Sequence, residues 1–198
     1  MPQPIRRRDS IHFSFAPDAI ADRPKLAPYI GVVSAYWNDI EARTAVYMAA
    51  LLKHEAQTVI SIYLALTSDH AKRATLDTVI DLKLGAGDKA KFKAVMTNVS
   101  ARYKERNKVV HGSWGTSPEY PDDLLWYDPK ESTSMFPEMM ALSYEAKQAR
   151  LKEMQKSLFV WKGTDFTNMI DRFKITHSEL LSFTDSAVRP WMNLRAQL

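Results

Sequence analysis

The sequence predicts an all-α fold, a helical bundle that carries a small strand-containing insertion. Apolar residues recur at steps of three and four through the segments 29–52, 89–110 and 164–190. This spacing is typical of helices that bury one face. Within the segment 113–163, short apolar runs between prolines largely replace the helical spacing. We therefore expect an extended N-terminal arm over residues 1–28 and one helical domain over residues 29–198, with the insertion at residues 113–163.

Four helices are expected before the insertion, each ending at a polar or glycine-containing break, with the ranges 29–52, 55–66, 71–84 and 89–110. Ser68 or Asp69 is suited to cap the third helix, because short polar side chains accept hydrogen bonds from the first free amides. Gly85 and Gly87 are expected to interrupt the chain. Asp88 is then expected to cap the fourth helix.

The insertion is expected to contain short strands at 113–115, 124–127 and 158–161, with one helix at 137–156. Thr164 or Asp165 is suited to cap the last helix, which should end near Pro190. The arm has a short alternating run at residues 11–15, which predicts one edge strand. Its arginines at positions 6, 7 and 8 are not followed by an apolar segment, so it does not have the pattern of a secretory signal.

The composition is ordinary for a globular protein, with 198 residues, 45 % hydrophobic and 25 % charged. The absence of cysteine excludes disulfides and thiolate metal sites. No stretch approaches the length of an uncharged membrane span, so no membrane partner and a cytoplasmic location are expected. No glycine-rich phosphate loop, dinucleotide fingerprint, Ser/His/Asp order or metal-ligand spacing is present. We therefore expect no cofactor and no metal.

Charge is distributed unevenly along the chain. Residues 88–111 hold seven Lys and Arg against Asp88 and Glu105, which gives +5, whereas residues 116–145 carry −6. A basic strip suits a polyanion such as RNA. The alternative interpretation of this basic strip is a solvated helix face that has no partner. The acidic stretch is suited either to fold over the basic strip or to face a basic partner.

The most informative residues lie where the fourth helix should end, at Arg106, Asn107, His111 and Gly112. The planar guanidinium of an arginine matches a phosphate, and a histidine exchanges a proton near neutral pH. Gly112 is expected in the left-handed position beyond the helix. The alternative for these residues is structural: a histidine that satisfies helix carbonyls and an arginine in a surface ion pair. Because Arg172 and His177 have the same spacing inside an amphipathic helix, spacing alone does not decide, and that pair is expected to be solvated.

The segment Arg106-Asn107-x3-His111-Gly112, after a helical bundle, resembles the signature of the HEPN domain family. The resemblance covers roughly residues 29–112 and the last helix. It implies a helical, usually dimeric protein. Many members of this family are metal-independent endoribonucleases of toxin or defence systems, and others only bind RNA or nucleotides. Arg106, His111 and Asn107 would then be the catalytic residues.

Further residues are candidates for supporting this site. Lys104, Lys108 and Arg102 would bind RNA, and Trp114 would either stack a base or pack the insertion onto the bundle. Glu41 would either orient His111 or form a salt bridge. Positions 106 and 111 differ by about 140° around a helix. One chain is therefore expected to spread the pair, and the family solves this by facing two helices across a two-fold axis.

Two hypotheses follow from the sequence. The first is a HEPN-type endoribonuclease that cleaves single-stranded RNA by 2′-OH attack as a homodimer. Its partners would be RNA and, for a toxin, a protein inhibitor or antitoxin. The second is a noncatalytic HEPN-like module that binds RNA, a nucleotide or a protein through the same helix end.

Overall fold

A computed structural model describes residues 2–5 and 11–195, except for the side chains of Phe136 and of residues 188–195. The basic triplet at residues 6–8 lies outside the described residues. The described part is mostly helical, as expected, and adds a small antiparallel sheet. Its helices are α1 (Ala27–Leu52), α2 (Ala56–Ala65), α3 (Asp69–Lys83), α4 (Ala86–His111), α5 (Pro129–Ala141), α6 (Tyr144–Gln155) and α7 (Gly163–Arg195). Its strands are β1 (Gln3–Pro4), β2 (Ser14–Phe15), β3 (Ser113–Thr116), β4 (Leu124–Tyr127) and β5 (Phe159–Trp161).

The chain forms two compact units. One, here called the sheet unit, combines Met1–Ser34 with Lys104–Asp171. The other, the helical unit, combines Ala35–Tyr103 with Arg172–Leu198. The sequence predicted a separate arm and one helical domain with an insertion. In the structure the arm and the insertion belong to the same unit, and α1, α4 and α7 each contribute residues to both units.

The helical unit is built around apolar faces of its five helical segments. Tyr47 stacks on Phe92 with 4.5 Å between ring centroids, and Phe183 meets both rings edge-on. The expected stripe of α3 is buried at Leu76 and Ile80. No strand is present between residues 30 and 110, all of which are described. The helical spacing of the sequence therefore predicted these elements correctly.

The helix ends of this unit confirm one predicted cap and correct another. Ser68 caps α3, because its Oγ accepts a hydrogen bond from the Ala71 amide at 3.1 Å. The expected cap at Asp88 is wrong, because α4 already begins at Ala86 and includes Gly87. Asp88 lies instead in the first turn, where a carboxylate is favoured by the helix dipole.

Asp39 connects α1 with α7 inside the helical unit. Its Oδ2 accepts a hydrogen bond from Arg43 Nε at 2.6 Å, and His177 Nε2 contacts the same oxygen. Partial burial raises the pKa of Asp39, but the hydrogen bonds from Arg43 and His177 outweigh burial and hold this pKa below its usual value. The expected solvated Arg172/His177 pair is therefore wrong for His177, whose imidazole is only 19 % exposed and faces Asp39.

The sheet unit contains one five-stranded antiparallel sheet in the order β1-β5-β4-β3-β2. The sequence predicted its three central strands within one or two residues. It predicted one edge strand in the arm, whereas the arm supplies both edges, β1 and β2. Leu125 and Tyr127 point to one face and pack with Val160, Met154 of α6 and Ile5 of the arm. Residues on alternate positions therefore cover both faces of the sheet.

The single helix expected at 137–156 is wrong. Two helices occupy this region, and the first begins eight residues earlier than expected, at Pro129 after its cap Asp128. Leu142 is extended, and Ser143 caps α6 by accepting a hydrogen bond from the Ala146 amide at 3.4 Å. The apolar spacing continues from α5 into α6, but the caps Asp128 and Ser143 start two separate helices in this region.

The expected cap at Thr164 or Asp165 and the expected helix end near Pro190 are both wrong, because α7 begins at Gly163 and continues past Pro190 to Arg195. Asp165 lies in its first turn and accepts a hydrogen bond from the Lys162 amide at 3.0 Å. Within residues 2–5 and 11–195, no helix is long and apolar enough to cross a membrane.

Asp39→Asn is expected to lower the free energy of unfolding by about 0.5–1 kcal/mol at pH 7, since the half-exposed carboxylate is screened by solvent. The pKa of Asp39 is depressed in the folded state. Its contribution is therefore present above about pH 4 and is lost as pH falls through the folded pKa. Urea unfolding of both proteins at pH 7 and at low pH measures the difference, which should shrink on acidification. Asp185→Asn, exposed on the same α7, is the control. A difference that grows at low pH would contradict the assignment.

Candidate functional site

The C-terminal end of α4 is held by two indole rings. Trp126 Nε1 of β4 donates a hydrogen bond to the Lys108 carbonyl at 2.8 Å, and Trp114 Nε1 of β3 donates to the Val109 carbonyl at 2.9 Å. The last carbonyls of a helix have no partner inside the helix. Since Trp114 and Trp126 are partners in the β3–β4 register, the two donors reach neighbouring carbonyls. The sheet therefore fixes the helix turn that holds the candidate residues.

Gly112 makes this arrangement sterically accessible. No glycine among the described residues has a positive φ, so the expected left-handed position of Gly112 is wrong. A Cβ atom at this position would overlap the Trp126 indole at Nε1 and would lie 2.5 Å from the Lys108 carbonyl oxygen. The glycine is required because a side chain would occupy the space through which Trp126 reaches the helix end.

Trp114 belongs to the core of the sheet unit. Its side chain is 6 % exposed, and its ring lies 5.5 Å from that of Trp161 and 6.0 Å from that of Phe166, between centroids. Of the two roles expected for Trp114, its contacts match the packing role, in which the ring packs in the core of the sheet unit. A base would have to displace Trp161 or Phe166 to stack on it, so base stacking has no support in this geometry.

Arg106, Asn107 and His111 meet in one chain. Arg106 Nη1 lies 3.0 Å from His111 Nε2 and 3.1 Å from Asn107 Oδ1. The expectation that one helix spreads the Arg106/His111 pair is therefore wrong. The backbone positions do diverge around the axis, but the long arginine side chain crosses the gap. Arg106 is half-buried and His111 is exposed, so the pair is open to solvent at the imidazole.

A hydrogen bond between Arg106 and His111 would fix the role of each nitrogen. A guanidinium has only donors, so in such a bond His111 Nε2 is the acceptor, which requires the neutral imidazole that carries its proton on Nδ1. The lone pair that would accept a proton from a substrate therefore points at a cation. Arg106 Nε is buried and has no hydrogen-bond partner in the described part of the chain. An anion that drew the guanidinium away would expose the basic nitrogen of His111.

The basic candidates on α4 separate into two groups. Lys104 and Lys108 are exposed and share one helix face with His111, because positions i, i+4 and i+7 lie in a row. Both belong to the sheet unit, as His111 does. Arg102 belongs to the helical unit, where its guanidinium carbon lies 5.9 Å from the centroid of the Phe173 ring. Arg102 is half-buried, which leaves Lys104 and Lys108 as the open cations beside the motif.

Glu41 is engaged in an ion pair with Lys72 inside the helical unit. Its carboxylate also accepts the corresponding hydrogen bond. Of the two roles expected for Glu41, this contact corresponds to the salt bridge. Within the described residues, no group of three or more His, Asp or Glu is arranged to hold a metal ion.

Trp126 was not predicted as a site residue, although its indole bonds the Lys108 carbonyl at the end of α4. Its position in a predicted strand was recognised, but its partner was not. The available signal was the presence of two tryptophans on short neighbouring strands that follow the motif. A register between those strands was needed to bring both indoles to α4.

Trp126→Phe is expected to lower the free energy of unfolding by about 1–3 kcal/mol, because the half-buried Lys108 carbonyl loses its donor. Gly112→Ala should cost at least as much, since its Cβ displaces the indole. Chemical denaturation measures both. The matched control is Gly31→Ala in α1, where an added Cβ meets nothing within 4 Å. This control should be neutral or stabilising by up to about 1 kcal/mol. Equal effects of the two glycine substitutions would contradict the role of Gly112.

Comparison with known proteins gives no relative for this chain. No protein-family model, curated protein or solved structure matches it. The HEPN resemblance is therefore carried by the Arg106–His111 motif and its position after a set of helices.

Proposed function

We propose that this protein is a metal-independent endoribonuclease of HEPN type that cleaves single-stranded RNA by 2′-OH attack. The observation that carries the proposal is the contact of 3.0 Å between Arg106 Nη1 and His111 Nε2, with Asn107 bonded to the same Nη1. It combines a phosphate-binding cation, a proton acceptor and an orienting amide at one exposed helix end. The family resemblance further suggests that this ribonuclease acts in a toxin or defence system.

The proposed reaction begins when the scissile phosphate binds the Arg106 guanidinium. The guanidinium then turns its donors to the phosphate oxygens and releases His111 Nε2. The neutral imidazole accepts the proton of the 2′-hydroxyl while the 2′-oxygen bonds to phosphorus. Arg106 stabilises the additional charge on the phosphorane. The bond from phosphorus to the 5′-oxygen breaks, and the imidazolium returns its proton to that oxygen, directly or through water. The products are a 2′,3′-cyclic phosphate and a 5′-hydroxyl.

Lys104 and Lys108 would position the RNA. Contacts to neighbouring phosphates set the register of a nucleic acid without reading its sequence. Both lysines share the exposed face of α4 with His111. This arrangement supports a strand that runs along the helix toward the site.

The second candidate is a noncatalytic HEPN-like module that binds RNA, a nucleotide or a protein. One observation favours it. The basic nitrogen of His111 is occupied by Arg106, so the resting site is arranged as a cationic binding surface. If a bound phosphate does not displace the guanidinium from His111, binding occurs without proton transfer.

Wild-type protein is expected to cleave single-stranded RNA in the presence of a chelator. Arg106→Ala and His111→Ala should each reduce turnover by about 10²–10⁴-fold, because each removes either the charge stabilisation or the proton carrier. Product analysis should find 2′,3′-cyclic phosphate ends.

The matched control is His54→Ala, whose histidine is exposed between α1 and α2. His177→Ala is a poorer control, because it would remove the contact with Asp39. If the chelator stops cleavage, or if His54→Ala loses as much activity as His111→Ala, the proposed mechanism fails. RNA binding that is retained without any cleavage would support the binding module.

We further propose a homodimer, for which the family resemblance and the exposed Ile175 on α7 are the support. Light scattering at micromolar concentration should give twice the chain mass of 22.6 kDa. Because Arg106 and His111 meet within one chain, a mixture of Arg106→Ala and His111→Ala proteins should regain no activity. A monomeric mass would contradict the dimer, and recovered activity would show that the pair is completed between chains. A protein inhibitor or antitoxin remains a candidate partner for a toxin of this type.

A further inference from the structure

A pocket of about 360 Å³ lies in the sheet unit beside the end of α4. The arm forms one part of its lining with Phe15, Pro17 and Ile20, and β3 contributes Ser113 and Trp114. Ligand pockets range from roughly 300 to 1,000 Å³. The size therefore suits one small ring system.

The pocket borders the candidate site through the backbone. Val110 and Gly112, the two neighbours of His111 in the chain, both line it. Successive Cα atoms are about 3.8 Å apart, so the pocket wall passes within one residue of His111 on either side. A ligand group in this pocket would therefore lie beside the backbone that carries His111.

The chemistry of the lining is neutral. None of its residues is charged, and its polar side chains are the hydroxyls of Ser113 and Ser132. Neither hydroxyl forms a hydrogen bond within the described part of the chain. A phosphate would lack a cation here. A flat neutral ring with polar edges fits, because apolar walls cover its faces and hydroxyls bond its edge.

We propose that this pocket binds the nucleobase of one of the two nucleotides that flank the scissile phosphate. This inference rests on the proposed function, because Arg106 and His111 supply the phosphate site beside it. The N-terminal arm then takes part in substrate selection, since Phe15, Pro17 and Ile20 form part of the base pocket. The backbone around His111 joins the phosphate site to the base site.

The test uses DNA oligonucleotides that contain a single ribonucleotide, so that only one bond can be cleaved by 2′-OH attack. The base is removed either from the ribonucleotide or from the nucleotide that follows it. Ala16→Trp fills the pocket, since Ala16 is exposed and lines it. Ala21→Trp is the matched control, because Ala21 is exposed in the same arm and outside the lining.

Wild type and Ala21→Trp should lose about tenfold in kcat/KM when the base is removed on one side, as expected for a stacked base. Ala16→Trp should cleave the intact substrate about as slowly as wild type cleaves the abasic one, with no further loss on base removal. Ser132→Leu, which fills the pocket from α5, should behave in the same way. If the Ala16→Trp and Ala21→Trp proteins respond alike, or if Ser132→Leu folds and retains the full effect of the base, the inference is overturned.

The two proposals fail in different ways. Cleavage that is insensitive to the pocket variants overturns the base pocket and leaves the ribonuclease in place. If wild type cleaves no substrate, calorimetry with the four nucleoside 2′-monophosphates tests the pocket alone. Binding that Ala16→Trp weakens at least tenfold relative to Ala21→Trp supports a pocket for the base of a free nucleotide. Absence of binding in wild type overturns it.

Discussion

The candidate site depends on the two indole hydrogen bonds that close the end of α4. Carbonyls at a helix end that are shielded from water need donors, and the sheet provides them through Trp114 and Trp126. The Trp126 bond forms only because Gly112 leaves room for the indole ring. The same turn carries His111, and Arg106 lies just over one turn before it. A chemical site that needs fixed distances is thus built on a terminus that would otherwise fray.

A comparison of two histidines shows why contact, rather than spacing, determines the chemistry. His177 shares the Arg-x4-His spacing, but it bonds Asp39, whose Oδ2 also accepts from Arg43. That carboxylate satisfies the nearby cation and leaves little attraction for a phosphate. His111 has no carboxylate among its contacts in the described residues, and its neighbour is the guanidinium itself. His177 Nε2 also lies 3.1 Å from Arg43 Nε, but Asp39 shares that cation. Arg106, in contrast, forms no ion pair within the described residues.

The N-terminal arm connects fold and proposed specificity. It supplies both edges of the sheet and, with Phe15, Pro17 and Ile20, part of the pocket beside α4. An extended segment gains stability by pairing with strands, because its backbone groups then find partners. This requirement places an arm that is distant in sequence next to the residues that follow the motif. Recognition of a base would therefore depend on a segment far from the catalytic pair in the chain.

The sequence by itself determined the helices of the helical unit, the central strands within one or two residues, the charge pattern and the Arg106–His111 motif, but it did not predict the break between α5 and α6 in the sheet unit. These features follow from local periodicity and residue chemistry. The tertiary structure alone decided that Trp114 is core, that Glu41 pairs with Lys72, that Gly112 makes room for Trp126, and that Arg106 reaches His111 in one chain. Each of these depends on strand register, on packing between elements or on the reach of a side chain. Local patterns do not encode such contacts, because their energy arises only once the chain has folded.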